Sequence, residues 1–369
     1  MVPLATALIL VNGLDPAAVF VCAGALVLAS GAWFGIPFPV QPLKALTAVA
    51  VAQQLAPGVI HAAGIEIAVV LLVLSFRGVA NRVARVFTEP IIRALQLGVG
   101  VLLVITAVKL VAKPPDVFRA TPTAPWPFVL AVATFLLAWW AARTRRYEVA
   151  IVALVGGVVF AWTIAAPELS APTLSLPSLD LPHGRDFATA LMLLVVPQLP
   201  LTFGNAVVAV SDVAQRSFGG AARRVTPSRV CISCGIGNVV SGVLGGMPMC
   251  HGAGGLTAHV RLGATSRRMN VVLGSAFVVL GAFFANQVTE ILGLLPVWGL
   301  AALLAYAGLR HASLVLDLRG SDLVLAVVAG ALGAYAGNLA ITVAVGLAVE
   351  AVRRIRRRTA RVHEGAGSP

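Results

Sequence analysis

The sequence predicts an all-α polytopic membrane protein of about 14 transmembrane segments, arranged as a seven-plus-seven inverted repeat with broken third and tenth spans. Three observations carry that prediction. The 369 residues are 59% hydrophobic and only 11% charged, too few polar groups to cover a water-soluble surface. Apolar runs long enough to cross a bilayer recur from one end to the other, and no polar block between them is large enough for a soluble domain. The basic residues fall between the runs, on alternate sides.

Taken in order, the spans lie near 2–12, 16–34, 37–56, 57–76, 88–112, 126–142, 147–166, 187–211, 228–246, 248–263, 269–289, 292–309, 321–336 and 337–352. Met1 to Leu10 has no basic n-region, so no cleavable leader is expected. With the C-terminus on the cytoplasmic side, 22 of the 27 basic residues lie in inner segments, from Arg77 to Arg361. Lys113, Arg119 and Arg185 are left outside. That asymmetry places both termini in the cytoplasm and the chain in the cytoplasmic membrane. The net charge of +13 therefore reports topology, and no nucleic-acid partner is expected. Lys109 sits near a span end, from which its stem reaches the interface. Lys44 has no such exit.

The repeat is visible in two stretches. "SGAWFGIPF" from Ser30 and "SGVLGGMPM" from Ser241 share Ser, Gly, Gly and Pro at a constant spacing of 211, and "LTA" recurs at Leu46 and Leu256. They occupy the third and tenth spans, so a seven-span unit separates them and they run in opposite directions. The expected domains are 1–166, the first repeat; 167–186, an extracytoplasmic loop; 187–352, the inverted second repeat; and 353–369, a basic cytoplasmic tail.

Proline explains the breaks. Pro37, Pro39 and Pro42 deny a helix its hydrogen bonds, so 37–41 should be extended and a half-helix should start at Pro42. Pro248 and the glycines of "CHGAGG" repeat the device, starting a helix around Gly252 to Gly255. Irregular backbone at that depth must line a cavity or be buried in protein. Two half-helix N-termini face to face form an anion cradle. Lys44, in the first turn, is repelled by its own helix end and costs about 2.5–3.5 kcal/mol at mid-membrane. A local rule broken this way marks a site. Its structural alternative is a pairing with Glu66 or a carbonyl.

The candidate anion ligands are Gln41, Lys44 and the backbone of Gly252, Ala253, Gly254 and Gly255, with Gln198, Thr202 and Asn205 on one face of the eighth span. His251 either donates to the anion or packs as a satisfied histidine. Glu66 is the one intramembrane carboxylate, either at the outer interface in a structural role or carrying a coupling proton. Cys231 and Cys234 form a CxxC without a second pair or a histidine at ligand spacing, so they read as packing residues. No metal or cofactor is expected. The chain has no GxxxxGK[ST] loop, so any energy comes from gradients.

"FGIPFPVQPLKALTAVAVA", "GGMPMCHGAGGLTAHVRLGA" and "PQLPLTFGNAVVAVSDVA" resemble signature segments of the molybdate transporter family, a branch of the sulfate permease superfamily. The resemblance runs from about Asn12 to the last span. It implies core and gate domains and an oxyanion, molybdate or sulfate, bound between the third and tenth spans against the eighth. On the matching positions it implies Gln41 and Lys44; Cys250, His251, Gly252, Gly254 and Gly255; and Gln198, Thr202 and Asn205. The expected mechanism is alternating access without enzymatic chemistry, with proton coupling and a homodimer as further expectations. The family's Gly-Asp-Leu-Gly stretch in a longer first span is missing from "MVPLATALILVNGLDP", so a shortened first span or an upstream start is expected. The short tail after Glu350 fits the molybdate branch better than sulfate permeases with a C-terminal regulatory domain. The rival readings are a nucleobase or carboxylate permease on the same fold, a membrane-embedded enzyme using Cys250, His251 and Glu66, and a passive scaffold.

Overall fold

The structure is a computed structural model and describes residues 2–76, 86–114, 126–144 and 170–365, with isolated positions between these stretches. Most of the expected span 147–166 lies outside the described residues, as do Arg77, Arg85, Arg119 and Arg145.

The first half comprises α1 (Val2–Asn12), α2 (Pro16–Phe34), β1 (Gln41–Pro42), α3 (Lys44–Ala52), α4 (Pro57–Leu74), α5 (Glu89–Ala112) and α6 (Trp126–Thr144). The second comprises the helical run α7 (Gly184–Ala222), α8 (Pro227–Val243), β2 (Met249–Cys250), α9 (Ala253–Arg261), α10 (Arg268–Gly293), α11 (Val297–Ala312), α12 (Gly320–Tyr335) and α13 (Leu339–Gly365). Among the described residues, seven helices are long and apolar enough to cross a membrane alone. Helix starts follow the local chemistry. Proline opens α2, α4 and α8, and Asp15 caps α2 by accepting from Ala17 N at 3.2 Å and Ala18 N at 3.1 Å. Matching left-handed glycines, Gly35 (φ 77°) and Gly245 (φ 72°), turn the chain just past the ends of α2 and α8.

Packing exchanges partners between the halves: α2 lies against α10, and α8 against α4. Small residues set the approach. A Cβ on Gly24 would stand 2.6 Å from the Gly274 carbonyl, and one on Gly274 2.9 Å from the Gly24 carbonyl, so α2 and α10 meet backbone to backbone. Gly100 and Gly308 do the same for α5 and α11, where a Cβ on Gly308 would lie 2.6 Å from Gly100 O. Two bundles result, one of α1–α4 with α7–α10 and one of α5, α6 and α11–α13. They meet where α3 lies on α5, and Gln53 Nε2 donates to Gly337 O across the boundary.

Three expectations are corrected. The third-span helix starts at Lys44 and not Pro42, because Pro42 is held extended in a pairing with the tenth span. The eighth span is longer than 187–211 and widens into π-helical turns over Leu191–Val195 and Thr202–Ala209. Pro197 and Pro200 lack an N–H, and wide turns re-pair the carbonyls around them. The last span does not stop at 352 but continues as helix to Gly365.

Candidate functional site

The two broken spans meet in a two-residue antiparallel pairing, Gln41 opposite Cys250 and Pro42 opposite Met249. Leu43 N donates to Pro248 O at 3.1 Å. Pro42 has no N–H to offer, so the ladder ends there and α3 begins two residues on. On the other strand Gly252, extended at φ −116° and ψ 132°, precedes α9. The amino ends of α3 and α9 are thus brought together at one crossover, each without a side-chain cap from its own N-cap residue.

Two asparagines fasten the crossover. Asn238 on α8 accepts from Met249 N at 2.7 Å, and its amide nitrogen donates to Met249 O at 2.7 Å and Cys234 O at 2.9 Å. Asn270 on α10 accepts from Phe38 N at 2.9 Å and donates to Phe38 O at 2.7 Å and Val27 O at 3.0 Å. Both side chains are fully buried. Irregular backbone at membrane depth needs partners of this kind. The sequence reading singled out neither asparagine, because the backbone that each one holds lies outside its own helix.

Gln41 and the glycines interlock. A Cβ at Gly252 would fall on the Gln41 amide, with Cδ at 2.6 Å, and one at Gly255 would reach Pro39 Cβ at 2.9 Å. Glycine is therefore required for the Gln41 amide to lie across the start of α9. Gln41 Nε2 is buried and has no oxygen or nitrogen partner among the described residues, an orphaned donor beside the weakly accepting Cys250 thiol at the meeting point of two helix N-termini. Gly254, open on its Cβ side, and Ala253 complete the first turn.

Lys44, the first residue of α3, is half-buried and forms no ion pair or hydrogen bond among the described residues. The alternative pairing with Glu66 is absent: Glu66 stands halfway along α4 with Oε2 buried and unpartnered. One turn beyond Lys44, the buried Thr47 hydroxyl also lacks a partner. His311, which the sequence reading did not single out, lies within electrostatic reach of Lys44 from the second bundle. Its depth follows from Gly308, which meets Gly100 at the middle of α5 three residues before it. Adjacent to Arg310, His311 reads in sequence as a loop-facing residue.

The eighth-span residues divide. Gln198, 2% exposed, accepts from Ala45 N at 3.0 Å and Leu46 N at 3.1 Å, and its Nε2 donates to Thr202 Oγ1 at 3.1 Å. It thereby caps α3 from another helix and takes two of the N–H groups that an anion would otherwise use. Asn205, half-buried on the π-helical turn, makes no side-chain hydrogen bond among the described residues. His251 is fully buried beside Phe34 and Phe38, with Nδ1 2.8 Å from Pro39 O and Nε2 2.9 Å from Ser233 Oγ. A carbonyl only accepts, so Nδ1 carries the proton and both nitrogens are engaged. It adopts the satisfied packing role. Cys231 and Cys234 are likewise buried in α8.

Between the ends of α1 and α3 and the last turn of α5 lies a cavity of about 460 Å³, lined by Gln53, Gln54, Thr106, Lys109 and Lys113 among others, with no carboxylate. The nine residues of α3 separate it from Lys44.

Comparisons with known proteins give the family and the fold. The family described as "Molybdate transporter of MFS superfamily" matches residues 1–103 and 190–310, more than half of the chain. Molybdate transporter 2 of Arabidopsis thaliana is 28% identical over 362 residues, covering 87% of this chain and 77% of its own. Molybdate transporter 1 of the same plant is 28% identical over 367 residues, covering 86% and 77%. Among solved structures, the transmembrane domain of a cyanobacterial bicarbonate transporter, BicA, aligns at a TM-score of 0.69 with 16% identity, over 92% of this chain and 93% of its own. The murine anion transporter Slc26a9, in an inward-facing state, aligns at 0.70 with 15% identity, over 97% and 66%. The fold follows these structures. The chain is a multi-pass membrane protein and belongs to the molybdate transporter family.

Proposed function

We propose that this protein carries molybdate across the cytoplasmic membrane by alternating access, the bundle holding the crossover rocking against the other. The observation that carries the reading is the orphaned Gln41 donor beside an unpaired Lys44, where two helix amino ends converge. Two half-charges and one ammonium sum to roughly +2, complementary to a tetrahedral dianion. Gln41, Lys44, Asn205 and the Gly252–Gly255 backbone are the proposed ligands. Gln198, Thr202 and His251 hold the cradle in shape. Substrate identity rests on the names of the plant relatives.

Sulfate has the same charge and shape, so it is proposed as a competing substrate. Glu66, unpartnered at mid-helix, is the proposed carrier of a coupling proton. The proposed arrangement is a homodimer with both termini cytoplasmic, repeats at 1–166 and 187–352, the outer loop at 167–186 and the basic tail at 353–369. The test is uptake of labelled molybdate by cells expressing the chain, with sulfate, tungstate and uracil as competitors. Lys44→Ala should abolish uptake at low substrate; uptake at the wild-type rate overturns the scheme.

A further inference from the structure

Two cavities on the first bundle run into one another. One, about 260 Å³, is a groove between α2 and α8 whose lining includes Ala25, Ala29, Trp33, Ile236 and Val240. The other, about 620 Å³, is lined by Ala29, Ala32, Trp33, Arg224 and Arg229. Ala29 and Trp33 line both, so the two form one channel, apolar along its length and doubly cationic at one end. Trp33, Ile236 and Val240 are large apolar side chains left exposed on spanning helices, so the channel opens toward lipid. Trp33 is the penultimate residue of α2, and tryptophan is favoured at span ends, where a helix meets the membrane interface.

The cationic end is built. Gln215 Nε2 donates to Ala222 O at 2.9 Å and Val225 O at 3.2 Å, fixing the turn that presents Arg224. Thr226 Oγ1 accepts from Arg229 N at 3.4 Å and caps α8, whose amino end adds partial positive charge. Arg216, on the preceding helix, is paired with Asp212 at 3.0 Å. Arg224 and Arg229 have no carboxylate partner among the described residues.

We propose that this channel binds an anionic phospholipid, the phosphate held by Arg224 and Arg229 and one acyl chain laid along the groove past Ala29 to Val240. Charge complementarity selects the headgroup. The continuous apolar groove selects a lipid over a free phosphate, which would leave the groove unfilled. The site also touches the crossover: Ser233 lines the groove, and its hydroxyl bonds His251, which in turn bonds Pro39 O. A chain seated there stands against the fastening of the broken spans.

The test is native mass spectrometry of the full-length protein in detergent, titrated with palmitoyl-oleoyl phosphatidylglycerol or the matching phosphatidylcholine. The charged lipid should be retained at least about fivefold better. That preference should vanish in the double variant R224Q/R229Q, and retention should fall in Ala29→Phe, which fills the groove and leaves the arginines in place. Unchanged thermal unfolding of both variants shows that they fold. Equal retention of the two lipids, displacement by glycerol 3-phosphate, or full retention by R224Q/R229Q overturns the proposal.

Discussion

Asn238 and Asn270 make the same two-point clamp on opposite broken spans, one holding both backbone groups of Met249 and the other both of Phe38. Phe38 and Met249 are 211 residues apart, the spacing of the sequence repeat. The clamps themselves are not related by that spacing: Asn270 reaches in from α10 of the other half, whereas Asn238 belongs to the same half as its target. The inverted repeat preserves the need for a fastening and supplies it from different helices. Replacing either asparagine by alanine strands a buried N–H and C=O, at about 1–3 kcal/mol for each group left without a partner. Asn238→Ala and Asn270→Ala should each lower the midpoint of thermal unfolding in detergent, and an unshifted midpoint would show that the clamps are dispensable.

Gly252 and Gln41 form a second testable pair. Gly252→Ala drives a methyl group into the Gln41 amide and should destabilise the protein and stop uptake. Adding Gln41→Ala removes the obstacle, so the double variant should regain thermal stability while remaining impaired in molybdate uptake. Full uptake by the double variant would exclude the Gln41 amide from the cradle.

Lys44 and its neighbour across the bundle boundary differ in their expected roles. Lys44→Met should reduce molybdate binding by tenfold or more, about 1.4 kcal/mol, measured by isothermal titration. His311→Gln keeps a polar side chain and should leave binding nearly intact while changing the transport rate, because it sits on the opposite bundle. Equal losses of affinity in the two variants would place both at the anion.

Lys109 and Lys113 line a cavity without carboxylates at the far end of α3. A pair of lysines there attracts anions over about a Debye length, 8 Å at physiological salt. The double variant Lys109→Gln, Lys113→Gln should raise KM for uptake at low ionic strength and have little effect in high salt. A salt-independent KM in the wild type would remove the steering role.

Much of the architecture was legible in the sequence because lipid imposes so few solutions. Span positions from 2–12 to 337–352 matched helices wherever residues are described, apart from the breaks and ends already noted. The breaks were readable from Pro37, Pro39, Pro42 and Pro248, whose missing donors act locally. What remained hidden depends on contacts between distant residues. The pairing of Gln41 with Cys250 spans 209 positions, and Gln198 caps a helix more than 150 residues away. Helical spacing left Gln198 open between an interhelical contact and the site, and its hydrogen bonds from Ala45 and Leu46 could not be read from spacing. His251 showed the same ambiguity, and its contact with the Pro39 carbonyl, 212 positions away, was equally out of reach of the sequence.

In the rocking proposed above, the amide of Gln53 on the Gly337 carbonyl would act as a detent rather than a lock. Sliding one bundle past the other must exchange that bond for water, at about 0.5–1.5 kcal/mol, enough to tilt an equilibrium between conformers by a few-fold to tenfold. A tie of that strength would yield to the free energy that the proposed anion supplies on binding.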